Sequence, residues 1–237
     1  MNILHANLFP RNYLYEIYPE EYLINGRVSL NDFKAVILPH ARYLPHALSG
    51  KLIDWVKAGG VLVPISASGL CNDLGIPDNS LMQTLLGMPA EELTAAAAAS
   101  SKAPPMRYQE VGKGSVLFIA NIGHLERPEI LKRLHEVLDR TSGRNAWSEN
   151  DSLEVLLRKD TGGDLYISVM NTDPDHVVTG TVMVPRRLQT AVDVTVANGC
   201  PIKTAEFQHD GRTGTQFQIR LNPAEWACIW AGRATVP

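Results

Sequence analysis

Cysteine is scarce in this sequence. Cys71, Cys200 and Cys228 are the only three in 237 residues, widely separated and odd in number. They form no C-x-x-C pair, which argues against a zinc site or a disulfide framework and for buried structural thiols in a reducing, cytoplasmic setting. No apolar run approaches the ~18 residues that a membrane-crossing helix needs. The opening MNILHANLFPRN lacks the basic start, apolar centre and small-residue cleavage site of a secretory signal, as would any piece cut from a secreted parent. Positive charge is not in excess either: 22 Lys and Arg stand against 25 Asp and Glu, for a net charge of −3. Nothing there draws a nucleic acid or an anionic membrane. The histidines fall into no H-x-H or H-E-x-x-H pattern, so no metal centre is expected. Gly59-Gly60 and Gly112-x-Gly114 each precede a strand-like run rather than a helix. They therefore offer no phosphate cradle, and no cofactor is expected.

What is present centres on Leu30 to Gly69. Ala35-Val36-Ile37-Leu38 is a short apolar run closed by Pro39, the pattern of a strand buried on both faces. A helix follows, with Leu48, Leu52, Trp55 and Val56 on one side, and Gly59-Gly60 stops it where positive φ is needed. Val61 to Ile65 is a second apolar run. Two strands joined by one amphipathic helix predict a βαβ unit in a parallel sheet. Ligands of such sheets gather beyond the carboxyl ends of the strands, here His40 and Ser66-Ala67-Ser68-Gly69.

Around this unit the expectations are uneven. Met1 to Phe9 reads as the last turns of a helix, Tyr13 to Tyr18 as a possible strand, and Pro19 to Leu23 as a helical turn. No strand precedes the first helix, so the expectation is a chain that begins inside a doubly wound domain whose opening strand lies upstream. Asn79 to Leu86 reads as a helix capped by Asp78 or Asn79 and ended by Gly87. Leu93 to Pro105 includes five consecutive alanines but no large apolar face, and is expected as a surface excursion or mobile loop. Gly112-Lys113-Gly114 is a hairpin-type turn before the buried strand Ser115 to Ala120. Pro128 starts a helix to Arg140 that buries Ile130, Leu131, Leu134, Val137 and Leu138. The polar stretch Thr141 to Trp147 divides the chain into domains of residues 1–147 and 148–237. Beyond it, seven strand-like runs between turn clusters predict an antiparallel β-sandwich.

Chemistry is sparse. Ile65-Ser66-Ala67-Ser68-Gly69-Leu70-Cys71 sits where a nucleophile elbow would be, but no Gly precedes a nucleophile. Ser66 and Ser68 read as turn formers, and Cys71 as a structural thiol or, alternatively, a displaced nucleophile served by a histidine. His40 and His124, with Asn121, fall on the sheet's carboxyl rim, where a base or a ligand contact is useful. As ordinary loop residues they need no function. Glu20-Glu21, Glu91-Glu92 and Asp173/Asp175 read as solvated caps and turns, and offer no opposed pair for sugar hydrolysis. Trp226 and Trp230, four apart in the last strand, share one face: sandwich core or an aromatic platform for sugars.

The order of these pieces resembles the two domains that follow the catalytic barrel in family-42 β-galactosidases and related glycoside hydrolases. Leu30-Asn31-Asp32-Phe33-Lys34-Ala35-Val36-Ile37-Leu38-Pro39 resembles the family's L-x-x-Y-K-x-V-x-x-P strand, with Phe33 for Tyr. Asp54 to Val63 resembles its F-V-x-x-G-G-x-L-V element, and Gly112-Lys113-Gly114 its G-x-G turn. In the second half, Tyr166 to Asn171 and Leu221-Asn222-Pro223-Ala224-Glu225-Trp226 resemble its f-x-x-N strand and L-x-P-x-E ending. The resemblance implies an incomplete flavodoxin-like domain of the class I glutamine amidotransferase type, used for trimerisation, followed by a small β-sandwich. It supplies no catalytic residue, because the (β/α)₈ barrel that bears them is absent. The implied role is a non-catalytic accessory and oligomerisation module, partnered by further copies of itself or by a barrel domain. A small Cys/Ser hydrolase or amidase, and a carbohydrate-binding module, are the alternatives.

Overall fold

A computed structural model describes residues 3–98, 104–141, 143–209 and 211–232. Parts of the sequence expectations, at Met1, Asn2, Ala99 to Ala103, Ser142 and Asp210, lie outside the described residues. The chain forms two compact units: Glu16–Gly143 with the residues up to Leu4, and His5–Tyr15 with the chain from Arg144 onward. Two short helices come first, α1 (Ile3–Leu8) and α2 (Glu20–Ile24). Tyr13 to Pro19 between them has no regular structure, contrary to the strand expected there. No strand among the described residues pairs with this segment, and Ile17 is 83% exposed.

The first unit is a mixed sheet in the order β1-β2-β4-β3. β1 (Ala35–Pro39), β2 (Val61–Ile65) and β4 (Gly114–Ile119) run parallel, and β3 (Met106–Val111) pairs antiparallel with β4. Every residue of the central β2 is buried, whereas β1, at the edge, is half-buried. Helix α3 (His46–Ala58) connects β1 to β2 and buries Leu48, Leu52, Trp55 and Val56 as its spacing predicts. Full burial of such side chains is worth about 1.5–3 kcal/mol each. Its end explains two glycine motifs that the sequence leaves unconnected. The Gly112-Lys113 turn packs on the last turn of α3, where Lys113 N–H donates to Lys57 O (2.9 Å) and Ser115 N–H to Gly60 O (3.2 Å). A Cβ on Gly114 would stand 2.2 Å from the carbonyl oxygens of both Val56 and Gly60. The two glycine pairs are one packing contact.

Helix α4 (Ser80–Leu86) buries Leu81, Met82, Leu85 and Leu86. Of the two candidate caps, Asp78 is the one that acts, its Oδ1 accepting from Ser80 N–H (3.1 Å). Asn79 instead donates from Nδ2 to Met88 O (3.0 Å). Gly87 closes the helix at φ +63°. The alanine-rich stretch corrects the expectation of a loop. α5 (Ala90–Ala97) is a helix, and Leu93 and Ala96 join the core. Small side chains let it approach closely, so one large apolar residue suffices. Helix α6 (Pro128–Thr141) buries Ile130, Leu134, Val137 and Leu138, and leaves Leu131 half-buried.

Among the described residues, the second unit contains two antiparallel sheets with nine strands rather than the expected seven. They are β5 (Trp147–Ser148), β6 (Leu153–Lys159), β7 (Leu165–Asn171), β8 (Val178–Val184), β9 (Val192–Asp193), β10 (Cys200–Pro201), β11 (Thr204–His209), β12 (Arg212–Leu221) and β13 (Trp226–Ala231). One sheet has the order β10-β9-β13-β7-β6, the other β11-β12-β8-β5. Val155, Ile167, Val169 and Ile229 of the first pack with Val182, Val184, Phe217 and Ile219 of the second in one core. The architecture is α/β plus all-β.

Candidate functional site

At the carboxyl rim of the parallel sheet, β1 ends in His40 and β2 in Ser66. Both hold positive φ, +59° each, where non-glycine residues are uncommon and strained. The missing glycine argued against an elbow, yet Ser66 adopts its left-handed backbone. The neighbouring bonds hold it there: His40 N–H donates to Ile65 O (3.2 Å) and Ser66 N–H to Ile119 O (2.8 Å), tying each strand end to the next strand.

Ser68 carries the tightest part of the rim. It is fully buried. Its Oγ accepts from Ala41 N–H (3.0 Å) and lies within donor range of Ile65 O (2.6 Å) and Leu38 O (2.9 Å). A hydroxyl has one proton to give, so its capacity is spent on backbone. The loops after β1 and β2 are then laced together by Gly69 N–H to Ala41 O (2.8 Å), Cys71 N–H to Arg42 O (3.0 Å) and Leu44 N–H to Cys71 O (2.9 Å). Cys71 lies inside this lacing, buried beside Leu44 and Leu70.

Of the other rim residues, Asn121 is tied down in the same way. Asn121 Oδ1 accepts from Gly123 N–H (2.9 Å), and its Nδ2 donates to Ala97 O (3.2 Å). His124 Nδ1 is buried without a hydrogen-bond partner. Among the described residues, Ser66, Ser68 and Cys71 make no side-chain hydrogen bond to an imidazole. His46, which the chemistry did not single out, bonds Asp78 Oδ2 through Nδ1 (2.9 Å). That bond, with the one from Ser80, holds the Asp78 carboxyl below its ordinary pKa. Away from the rim, a hollow of about 530 Å³ opens between Gly26–Asn31 and the Lys51–Ala58 face of α3. No group of three or more His, Cys, Asp or Glu among the described residues is arranged to hold a metal ion. No helix among them is long and apolar enough to cross a membrane.

On the sandwich, the tryptophans take the outer face. Ala227, Ile229 and Ala231 alternate into the core, leaving Trp226, Cys228 and Trp230 outside. The register sets Trp226 beside Met170, Cys228 beside Ser168 and Trp230 beside Tyr166. Trp226 is 58% exposed, Met170 41% and Tyr166 36%. Trp230 Nε1–H donates to Asp164 Oδ2 (3.2 Å), which holds its ring in place. This excludes the sandwich-core reading of the pair. The thiols correct a second expectation: only Cys71 is buried, Cys200 is exposed and Cys228 half-buried. Burial pushes the Cys228 thiol pKa up.

Sequence reasoning missed the residue that unites two of its own motifs. Asn171, at the end of β7, is buried. Its Nδ2 donates to His176 O and Asn222 O (2.8 Å each), and its Oδ1 accepts from Asp173 N–H (2.9 Å). It thereby joins the 172–176 turn to the 222–225 turn, where Asn222 N–H in turn donates to Glu225 Oε2 (2.6 Å). A polar residue closing an alternating strand just before a turn cluster was the available signal.

No family model matches the sequence, and no curated protein matches it. Solved structures do. A GH42 β-galactosidase from G. stearothermophilus matches 98% of this chain with a TM-score of 0.67 at 12% identity. A β-galactosidase from Bacillus circulans sp. alkalophilus matches 97% of it with 0.69 at 14%. One from Rahnella sp. R3 matches 98% with 0.60 at 15%. This chain spans only 36% to 37% of the length of those proteins. Identity this low speaks for fold alone: the chain is folded like about a third of a GH42 β-galactosidase.

Proposed function

We propose that this chain is a non-catalytic accessory and oligomerisation module of a glycoside-hydrolase-type assembly. Its first unit acts as a flavodoxin-like trimerisation domain and its second as the small sandwich that follows it. The partners are further copies of the chain, or a catalytic barrel that carries the reacting carboxylates. Three unpaired thiols favour a reducing, cytoplasmic setting.

The observation that carries this reading is the laced rim. The place where an amidotransferase-like enzyme would hold its nucleophile has a serine with elbow backbone and, among the described residues, no imidazole bonded to it. The adjacent hydroxyl of Ser68 is consumed by three backbone atoms. A surface beside it suits contact instead. Asn72 Oδ1 accepts from Leu74 N–H (3.0 Å) and Ile76 N–H (2.9 Å), stiffening a loop that holds both aliphatic side chains out to solvent. Tyr43, also exposed, lies against that loop at Gly75. Rigid apolar groups of this kind mark protein contacts more often than catalysis.

Light scattering on the purified chain, alone and mixed with a separately expressed GH42 barrel, tests the reading. A multimer, or a stable complex with the barrel, is expected, with no turnover of chromogenic galactosides, esters or amides by the chain alone. A strict monomer indifferent to the barrel defeats it. So does turnover that is lost in Ser66→Ala.

A further inference from the structure

The outer face of the five-stranded sheet has a relief of its own. Two rows of large side chains, Met170 with Trp226 and Tyr166 with Trp230, cross the strands. Between them lies a pair of small ones on β7 and β13, Ser168 with Cys228, flanked on β6 by the half-buried Leu156. Trp226 and Trp230 are four residues apart on one strand, hence roughly 13 Å at about 3.3 Å per residue. The result is a shallow trough between two aromatic ridges, built on paired strands rather than on loops. Tyr and Trp present large rigid faces at small conformational cost, with a polar edge for hydrogen bonding.

Charge narrows the occupant. Arg158 lies beside Tyr166 and Glu154 beside Met170 in the same sheet register, and Asp164 holds the Trp230 ring. One cation against two carboxyl groups gives nothing to attract a phosphate or an anionic polymer. Burial pushes the Glu154 carboxyl pKa up, with nearby His5 pulling the other way. The carboxylate of Asp164 has acceptor capacity beyond its bond to Trp230. Stacking faces, hydroxyl-scale acceptors and little net charge match a ligand that is apolar on its faces, polar at its rim and neutral.

We propose that this face binds a neutral saccharide chain, laid along the strands with one ring on Trp226 and another on Tyr166 and Trp230. The inference goes beyond the accessory-module reading and rests on it only for the choice of galactose-containing glycans as first probes.

The intact chain is run in native gels containing soluble β-galactan, arabinogalactan or xyloglucan, and titrated with the corresponding oligosaccharides while tryptophan fluorescence is followed. Of the four tryptophans, Trp55 and Trp147 are buried, so a ligand-dependent change reports the platform. Expected are retardation in at least one glycan and a saturable fluorescence change. Trp226→Ala and Tyr166→Ala each weaken binding about tenfold, the loss of one stacked ring, while Tyr108→Ala, at an exposed aromatic of the other unit, leaves it intact. Circular dichroism confirms that the variants fold, and Ser168→Arg, which fills the trough without removing a ring, is a second probe with the same expected loss. Three outcomes overturn the proposal: no retardation by any of the glycans, binding untouched by all three platform variants, or platform variants that change the particle mass in light scattering and not glycan binding. The last would make the face a protein interface. Because mass and glycan binding are read separately, a monomer that binds glycan removes the oligomer reading alone.

Discussion

Replacing Asn171 with alanine tests how the sandwich is closed. The change strands three backbone groups at once: the carbonyls of His176 and Asn222 and the N–H of Asp173. A buried polar group left without a partner costs about 1–3 kcal/mol. Asp173 and His176 lie in an exposed turn, so water recovers part of that loss; the Asn222 side, adjoining the buried Leu221 carbonyl, recovers less. The expected destabilisation is therefore about 2–4 kcal/mol. With m-values near 1–3 kcal/mol/M, the urea midpoint of the sandwich should fall by about 1–2 M. Asn171→Asp sharpens the test. It keeps the shape but directs a carboxyl oxygen at two carbonyl oxygens, so the folded state favours the protonated acid and the folded pKa is raised. The variant should then be worse than Asn171→Ala at pH 7 and regain stability as pH falls through its raised folded pKa, the recovery being complete near the ordinary carboxylate value of about 4. Urea titrations at the two pH values, followed by near-ultraviolet circular dichroism, decide the matter. A loss under about 0.5 kcal/mol for the alanine variant, the range of an ordinary surface change, refutes the reasoning, as does an aspartate variant that is no worse at neutral pH.

Three further outcomes follow from the first unit. Gly114→Ala, whose Cβ would meet two backbone carbonyls at 2.2 Å, should cost about 4 kcal/mol or more, or leave the protein insoluble; a normal melting temperature would show that the turn does not seat on α3 as described. Ser68→Ala should lose about 1–3 kcal/mol by leaving Ala41 N–H and a strand-end carbonyl without their partner, measured by thermal melting; an unchanged melt would mean that the hydroxyl does not lace the rim. Asp78, held below its ordinary pKa chiefly by its hydrogen bonds from His46 and Ser80, stabilises the fold above the unfolded carboxylate value near 4 and loses that contribution as pH falls through its lower folded value. Asp78→Asn should flatten the acid limb of a stability-against-pH curve while still capping α4; an unaltered limb would remove Asp78 from the account.

Elements whose identity is written in a few adjacent residues were legible: the apolar runs Val61–Ile65 and Ser115–Ile119, and the faces of α3 and α6. Those that depend on a neighbour were not. Tyr13 to Tyr18 has strand composition, but a strand needs a partner for its backbone, and none pairs with it. The alanine run has weak amphipathicity, yet a close packing partner for Leu93 and Ala96 makes it a helix. Ala191 to Val196 shrinks to the paired Val192 and Asp193, with Val194 N–H making one further bond to Cys228 O of β13 (2.9 Å). At the rim, the positions of His40, Ser66 and Asn121 at strand ends could be read, and the strain at Ser66 could not. Left-handed backbone at a non-glycine residue is decided by what surrounds it.

The same dependence on distant partners bears on function. Short motifs at Gly59-Gly60, Gly112-x-Gly114, Asn171 and Asn222–Glu225 each look weak alone. In the folded chain they are halves of two joints, one between a helix end and a hairpin, the other between two sandwich turns. A motif whose side chain or missing Cβ is fully engaged by backbone has no valence left for a substrate. Applied to the rim, this accounting sets Ser68 and Asn121 aside as structural ties. It leaves the outward-facing Trp226 and Tyr166, which the core does not use, as the groups with contacts still to make. A ligand recognised by stacking should therefore answer to changes on the sandwich face sooner than to changes at Ser68 or Asn121.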